Sequence, residues 1–518
     1  MNNGPSPGNE ELPVAGHVVE NIDEVAKYDP ELRFRRLSGI ALKLMYAMTL
    51  ILSIFHIYTA GFGVLQEWRH RTFHLAFVLP LVFFLYTIRK AKGEGEKFLV
   101  YDLAYGVTGS ALLTTICREL FSLSAVSAWI LALAAFLLCL YFKRREYLPD
   151  RIAAWIDFPV FTAMILGIGY TFSLAFSDLH FLTWFKDLNA ALVFWGFFLL
   201  GIFLSILFLF VMQWIQGLRM VFGGRAIRYD LNNIPYFDVF FALGASLVSI
   251  YIFVEFHNIG LRAGSPIQAD LVVGAMAILF VLEGARRSIG APLPIIAIMV
   301  LINCYLGPYF LKIPGLTLFA HRGYGVSRII DYMYLGTEGI YGIPLGVVAT
   351  FVFHFVLFGL FISRTGLGQL FMDLAMAIAG GTAGGPAKVA VVSSGMFGSI
   401  SGSSVANTVT TGSFTIPMMK KVGYKPVFAG AVEATASTGG QLMPPVMGAA
   451  AFIMSDFLGI PYIKIAAAAV IPALLFYFAV GWMVHLEALK LGLLGLPREM
   501  LPRIWDVLKQ RGLLVAPL

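Results

Sequence analysis

The sequence has 518 residues, of which 58% are hydrophobic, 14% are aromatic and only 13% are charged. Soluble chains are about 45–50% apolar and about 25% charged, so this composition excludes a soluble multidomain enzyme. The net charge of +7 is typical of basic loops on one side of a membrane, and it does not indicate nucleic-acid binding. Apolar runs of about twenty residues predict an all-α polytopic membrane protein.

The first part of the chain alternates between polar stretches and apolar runs. Residues 1–37 are polar and contain more acidic than basic residues, so we expect a disordered cytoplasmic tail. Nine runs of spanning length follow at about 38–62, 72–89, 99–116, 125–142, 157–177, 189–215, 236–256, 269–285 and 290–311. With the N-terminus inside, sixteen Lys and Arg from Arg33 to Arg287 fall in inner stretches and five in outer loops, namely Arg69, Arg71, Arg118, Lys186 and Arg262. This asymmetry predicts a cytoplasmic N-terminus.

The pattern changes after residue 311. Residues 312–338 have mixed polarity, which predicts a position outside or along the outer interface. Spans are predicted at 342–363 and 462–486, and the shorter run at 366–381 favours an interfacial or arm helix. With a further span at 426–457, the sequence predicts about 12 transmembrane helices.

Residues 393–415 read SSGMFGSISGSSVANTVTTGSFT, and sixteen of these 23 residues are Ser, Thr, Gly or Asn. The stretch is uncharged, and lysines flank it on both sides. We therefore expect a re-entrant hairpin that enters from the cytoplasmic side, turns near mid-membrane and leaves on the same side. Small polar residues also form tight helix-packing seams, so packing alone is the alternative.

The span at 426–457 is interrupted by Glu433 and then by STGGQLMPP, Ser437 to Pro445. Paired glycines and two prolines predict a helix broken into two halves. A broken helix beside a re-entrant hairpin is typical of secondary transporters, where half-helix N-termini attract anions and freed carbonyls bind sodium. The alternative is a kink that binds nothing. Glu433 is either a coupling group or an acid near the headgroups.

Other polar residues within apolar runs have simpler interpretations. His354 is expected to make a structural hydrogen bond, and Asp102 and Glu255 are expected to be paired or near an interface. Cys117, Cys139 and Cys304 are far apart in the sequence and indicate packing residues, not a disulfide or a metal site.

The stretch from Gly384 to Tyr462, with its GSISGSSVANTVTTGSF and STGGQLMPPVMGAAAF motifs, resembles the tripartite ATP-independent periplasmic (TRAP) transporters. The resemblance is to the TAXI-type class, in which small and large permease subunits are fused, and to its DctM-like large-subunit region. Weaker similarity covers Ala320–Val347 and Ala269–Gly290.

The resemblance implies a sodium-coupled importer in the inner membrane, with an elevator motion and a periplasmic binding protein as partner. Small organic anions such as carboxylates are the implied substrates, with sodium as the coupling ion and no other cofactor. The implied substrate- and ion-binding residues are Ser401, Gly402, Ser403, Ser404, Asn407 and Thr411 in the hairpin, and Ser437, Thr438, Gly439, Gly440, Gln441, Pro444 and Pro445 in the broken helix. Their carbonyls and hydroxyls would hold sodium.

The resemblance also divides the chain. Residues 38–311 are similar to the small subunit, with an additional four-helix insertion at about 97–235. Residues 312–518 are similar to the first inverted repeat of the large subunit. No second hairpin or second break follows, so either the sequence is a fragment or a second-half permease chain is a partner.

Three alternatives stay open at this stage. The first is a scaffold without transport activity. The second is a pore or a proton-coupled carrier with Glu433 as the coupling group. An intramembrane serine hydrolase would use Ser401, but Ser399 stands where the G-x-S-G motif requires glycine, and no histidine lies in the hairpin. The prediction is therefore that the chain is not an enzyme.

Overall fold

The computed structural model describes residues 35, 37–63, 65–86, 97–120, 234, 236–312, 315, 317–364, 366–497, 499 and 501–512. Helices joined by short turns make up this part of the chain, in agreement with the predicted all-α class. The described residues pack as two compact units, one within 1–52 and 68–342 and the other within 53–67 and 343–518.

In the described part of the chain, seven α-helices precede residue 343. In chain order, α1 to α7 are Gly39–Phe62, Glu67–Leu85, Lys97–Leu120, Tyr236–Leu261, Gln268–Ser288, Pro292–Phe310 and Val326–Ile330, and a π-helical turn, Asp331–Leu335, continues α7. The core of this unit is formed by α3, α5, α6 and α7. Helix α5 contributes Leu271, Ala275, Ile278 and Leu282, whose three- and four-residue spacing places them on one helical face.

A buried ion network lies at one end of this unit. The Asp238 carboxylate is fully buried and accepts hydrogen bonds from Arg35 and, at 2.6 Å, from Nη1 of Arg287. Arg287 also donates from Nε to Glu283 at 2.8 Å, and Glu283 binds Arg286 as well. The sequence places Arg35 and Arg287 on the same side of the membrane, and the structure brings both to one carboxylate. Which side of the membrane this is stays a prediction.

A second ion network lies at the other end of α4 and α5. Arg262 donates to Asp270 and Glu255, from Nε at 2.8 Å and from Nη1 at 3.2 Å respectively. The hydrogen bond with Asp270 raises the pKa of Arg262 above its already high ordinary value. Glu255 therefore has a structural partner, as the sequence predicted.

The helix at the predicted span of about 72–89 lies a few residues earlier, because α2 runs from Glu67 to Leu85. Arg69 and Arg71, which the sequence assigned to an outer loop, lie inside this helix. Arg71 donates to the Tyr341 carbonyl at 2.9 Å, and the Arg69 guanidinium lies 4.8 Å from the centre of the Phe256 ring. The carbonyl contact stabilises Arg71 within the helix, and the aromatic contact stabilises Arg69 there.

Five described helices are long and apolar enough to cross a membrane: Gly39–Phe62, Phe241–Leu261, Gln268–Ser288, Pro292–Phe310 and Tyr462–Leu491. The total of about 12 spans stays a prediction. The runs at 125–142, 157–177 and 189–215, most of the insertion at 97–235, and nearly all of the tail at 1–37 lie outside the described residues.

Nine α-helices follow residue 342 among the residues that the structure describes. In chain order, α8 to α16 are Ile343–Val347, Phe353–Arg364, Leu367–Ala379, Gly385–Ser401, Ser404–Val422, Pro426–Gly439, Ala449–Leu458, Tyr462–Leu491 and Ile504–Arg511, and a π-helical turn, Val348–Val352, joins α8 to α9. Helices α11, α13 and α15 bury a core of mostly small side chains, including Ala387, Ala390, Ala436 and Ala488. Small residues let the helix backbones approach closely. This packing positions the polar segments described next.

Two further predictions concern this unit, one for His354 and one for the short run at 366–381. The His354 ring lies 2.6 Å from the carbonyl oxygens of Thr350 and His56, in agreement with a structural role. Helix α10 is 13 residues long, shorter than a membrane span, and Arg511 on α16 binds its Asp373 at 3.2 Å. An interfacial position for α10 stays a prediction.

Candidate functional site

The polar run at 393–415 forms a helical hairpin. Helix α11 begins after Gly384, has Pro386 in its first turn, and ends at Gly402, whose φ of 58° is left-handed. Helix α12 starts immediately after Ser403. The hairpin therefore turns within two residues, and the name hairpin tip is used for residues 401–404. Its re-entry from one membrane face stays a prediction.

The predicted break in the second polar segment is present. Helix α13 ends at Gly439 and α14 begins at Ala449, and residues 440–448 between them are called the break. The Pro444–Pro445 peptide bond within it is cis. The Tyr462 hydroxyl lies 2.7 Å from the Pro445 carbonyl and 2.8 Å from that of Val446, and so ties the break to α15.

The hairpin tip packs directly against the break. A Cβ atom added to Gly402 would lie 2.0 Å from the carbonyl oxygen of Met447, so only glycine fits there. The Val446 amide donates to the Ser399 carbonyl at 3.0 Å, and the Gln441 side-chain amide donates to the Ser404 hydroxyl at 3.0 Å. The structure thus brings together the two segments that the sequence singled out.

A second close approach lies one helical turn before the tip. A Cβ atom on Gly398 would lie 2.4 Å from the Cα of Gly440, so the backbones of α11 and the break meet there. The buried Asn407 side chain bridges the same region and donates to the Ser394 carbonyl at 2.8 Å. Gly440 and Asn407 therefore hold the hairpin and the broken helix together.

The other predicted site residues have different surroundings. Ser401 is buried, and its hydroxyl has no hydrogen-bond partner among the described residues. Gly439 faces Phe476, because a Cβ atom there would lie 2.4 Å from that ring. Thr438 is exposed and donates to the carbonyl of Ala434, one turn earlier in its own helix.

Ser403 caps α12, because its hydroxyl oxygen accepts a hydrogen bond from the Ala406 amide at 3.3 Å. We expect Ser403→Ala to destabilise the protein by about 1 kcal/mol, the usual cost of losing such a cap. Differential scanning fluorimetry in detergent would show this as a lower apparent melting temperature. Ser403→Asp retains a capping oxygen and should melt like the wild type. Equal melting of Ser403→Ala and wild type would contradict the capping role.

Glu433 lies inside the bundle of α11, α12 and α13 and is fully buried. Its depth in the membrane stays a prediction. Four hydroxyls donate to its carboxylate. Ser394 and Ser437 donate to Oε1 at 3.2 Å and 3.0 Å, Thr411 also donates to Oε1, and Thr415 donates to Oε2. Glu433 and these four residues are called the Glu433 cluster.

Sequence reasoning did not single out Ser394 and Thr415 as partners of Glu433. A usable signal was present, since Thr411 and Thr415 are four residues apart, as are Glu433 and Ser437. Such pairs lie on one helical face. Ser394 carries no comparable signal, because only the packing of α11 against the other two helices brings it to the carboxylate.

Four helix ends meet where the hairpin tip contacts the break. Helices α12 and α14 begin there and α11 and α13 end there. Helix N-termini carry partial positive charge and C-termini partial negative charge. The junction therefore offers amide donors to an anion and carbonyl oxygens to a cation, a combination that suits a transporter site.

The model of the tripartite ATP-independent periplasmic transporter DctM component matches residues 276–518. Over these residues, the chain is similar to the large permease component of TRAP transporters. One similar protein is the C4-dicarboxylate TRAP transporter large permease protein DctM of Pseudomonas aeruginosa, 33% identical over 29% of this chain and 35% of its own. The protein of that name in Vibrio cholerae is 41% identical, over 18% of this chain and 20% of its own.

A third similar protein is the isethionate TRAP transporter permease protein DctMQ of Oleidesulfovibrio alaskensis, 35% identical over 18% of this chain and 14% of its own. The chain spans less than half the length of these curated relatives. The DctM component belongs to a family of transporters and not of enzymes. The apolar helices of the described residues and these similarities show that this protein is a multi-pass integral membrane protein.

Proposed function

We propose that this protein is a TRAP permease, the membrane component of a sodium-coupled secondary importer for small organic anions, with carboxylates as the main substrate class. It receives the substrate from a periplasmic binding protein and lies in the inner membrane with its N-terminus in the cytoplasm. The proposal includes the TAXI-type fused arrangement, with the second half of the large subunit supplied either by a longer form of this chain or by a separate second-half permease chain.

The observation that carries the proposal is the direct packing of the hairpin tip against the break. Gly402 and Met447 approach so closely that no side chain fits between them. The N-termini of α12 and α14 supply amide donors for a carboxylate, and the carbonyls that end α11 and α13 supply oxygen ligands. All of the predicted side-chain ligands are also oxygen donors, the ligands that hard cations prefer.

We expect transport to require the binding protein and the second half of the large subunit, and to be specific for carboxylates. Proteoliposomes containing the purified permease, its second-half chain and its binding protein would be supplied with radiolabelled carboxylates under an inward sodium gradient. We expect accumulation of a carboxylate only when the binding protein is present. Equal accumulation without that protein would contradict the tripartite arrangement, and accumulation of neutral solutes alone would contradict the substrate class.

Ser401 allows a test that separates binding from stability. Its buried hydroxyl has no partner among the described residues, and such an unsatisfied group costs about 1–3 kcal/mol. Ser401→Ala should therefore melt at the wild-type temperature or above it. If the hydroxyl is a ligand, uptake should nevertheless fall by about tenfold or more.

Ser413→Ala is the matched control for Ser401→Ala, because Ser413 lies on the exposed side of α12 and donates only to the Thr410 carbonyl among the described residues. We expect this variant to retain wild-type uptake and melting temperature. Wild-type uptake by Ser401→Ala would show that this hydroxyl is not a ligand. Uptake and melting temperature are measured in the same preparations.

A further inference from the structure

An open cavity of about 350 Å³ lies beside the Arg262 ion network, within the unit that includes residues 68–342. Its walls come from the start of α2, the end of α4 and the turn after it, the start of α5, and α7 with its π-helical turn. This volume is within the range of small-molecule sites and would hold about ten water molecules. The polar and aromatic residues of its lining are Trp68, Arg262, Asp270, Arg328, Asp331 and Tyr332.

The four charged side chains of the cavity form two pairs of different kinds. Arg262 donates to the fully buried Asp270 from Nε and from Nη2, both at 2.8 Å, so this pair is neutralised. Arg328 and Asp331 lie 3.7 Å apart, which is beyond hydrogen-bond distance. The Asp331 carboxylate accepts no hydrogen bond within the described part of the chain, although its side chain is only 18% exposed. The second pair therefore offers a ligand both free oxygen acceptors and free N–H donors.

The backbone and the aromatic residues also distinguish this cavity. Asp331 begins the π-helical turn, and such turns are rare and frequently lie at functional sites. The buried indole N–H of Trp68 has no hydrogen-bond partner among the described residues. Leu261 and Tyr332 follow the cavity residues in the chain and are 77% and 56% exposed. Exposed Trp and Tyr are typical of the zone where a membrane protein meets lipid headgroups.

We propose that this cavity binds a zwitterion in which a primary ammonium and a phosphate are joined by a short linker, as in the headgroup of phosphatidylethanolamine. The ammonium donates to Asp331, and the phosphate accepts from the Arg328 guanidinium, which is 67% exposed. Because the two residues are neighbours on one helix, the opposite charges of the ligand must also be close together, as they are across an ethanolamine linker.

The pairing of charges in the cavity disfavours simpler ligands. An anion alone would leave the Asp331 carboxylate without a donor and would be repelled by it, and a cation alone would be repelled by Arg328. The same zwitterion occurs in the lipid and in free phosphoethanolamine. The site is separate from the hairpin tip and does not depend on the proposed transport function.

The test compares two lipids that differ only in the ammonium group. Phosphatidylethanolamine has N–H donors there, whereas phosphatidylcholine is fully methylated and has the same phosphate. The purified full chain in lipid-free detergent would receive increasing amounts of either lipid while its melting temperature is measured, because a ligand that binds the folded state stabilises it. We expect the wild type to require at least about tenfold less phosphatidylethanolamine than phosphatidylcholine for the same increase.

Asp331→Asn should respond equally to the two lipids. Without lipid it should melt close to the wild-type temperature, because an exposed ion pair contributes at most about 1 kcal/mol. Glu487→Gln is the matched control and should keep the full preference. Glu487 also pairs with a basic residue three positions along its helix, Lys490 at 3.6 Å, and it does not line the cavity.

Arg328→Gln removes the proposed partner of the phosphate and should require about tenfold more phosphatidylethanolamine for the same increase. Soluble phosphoethanolamine and phosphocholine distinguish the two sources of the ligand. An Asp331-dependent increase with phosphoethanolamine would show that the headgroup alone binds, and an increase with the lipid only would show that the acyl chains contribute. An equal response of the wild type to both lipids, or an unchanged preference in Asp331→Asn, would overturn the assignment of this site.

Discussion

Gly402→Ala is expected to lower the melting temperature by about 4–8 °C and to abolish uptake. Gly402 has a φ of 58°, and a left-handed conformation costs a non-glycine residue about 1–2 kcal/mol. The added methyl group would also lie 2.0 Å from the Met447 carbonyl oxygen. Together these effects should cost about 2 kcal/mol or more, and about 2–4 °C per kcal/mol is typical of a unit of this size.

Gly430→Ala is the matched control for this substitution. Gly430 lies inside α13, and a Cβ atom there would have no neighbour within 4 Å among the described residues. Because alanine is the better helix former by about 1 kcal/mol, this variant should melt at the wild-type temperature or slightly above it. If Gly402→Ala melts and transports like Gly430→Ala, the close contact between the hairpin tip and the break does not support function.

Asp238→Ala is expected to reduce the free energy of unfolding by about 3–5 kcal/mol, the usual effect of breaking a buried ion pair from one side. The substitution leaves Arg287, whose side chain is 0% exposed, with only Glu283 as its carboxylate partner among the described residues. It also removes the carboxylate that binds Arg35. Unfolding by a denaturing detergent in mixed micelles would measure this loss.

Asp331→Ala makes the same change in an exposed ion pair of the same unit. Asp331 lies 3.7 Å from Arg328, which is 67% exposed, and exposed pairs contribute at most about 1 kcal/mol. The difference between the two variants should therefore be at least about 2 kcal/mol. Similar losses in both would show that burial of the Asp238 network has little effect on stability.

Several elements could be predicted because their cause is local in the sequence. Paired glycines and prolines at 439–445 interrupt the helix whatever surrounds them, and the structure has the break there. The polar run at 393–415 predicted a hairpin for the same reason, and the structure has a helical hairpin that turns at Gly402 and Ser403. The apolar runs of α1, α5 and α6 are long enough to give their helices within a few residues.

Other features depend on contacts between residues that are distant in the sequence, and hydropathy patterns do not predict such contacts. Helix α2 begins about five residues before the predicted span. The hydrogen bond from Arg71 to the Tyr341 carbonyl stabilises this arginine within the helix. Ser394 reaches Glu433 only through the packing of three helices. The burial of Glu433 could not be predicted for the same reason, since it is set by neighbours on α11 and α12 rather than by its own helix.

We propose that a sodium gradient drives uptake through the junction of the hairpin tip and the break. The most direct test is the initial rate of carboxylate uptake into proteoliposomes that contain the complete transporter, before and after a sodium ionophore dissipates the gradient. We predict that the ionophore stops uptake by the wild type and by Gly430→Ala, and that Ser401→Ala is at least about tenfold slower before ionophore is added. Wild-type uptake that continues unchanged after the gradient is dissipated would contradict the claim.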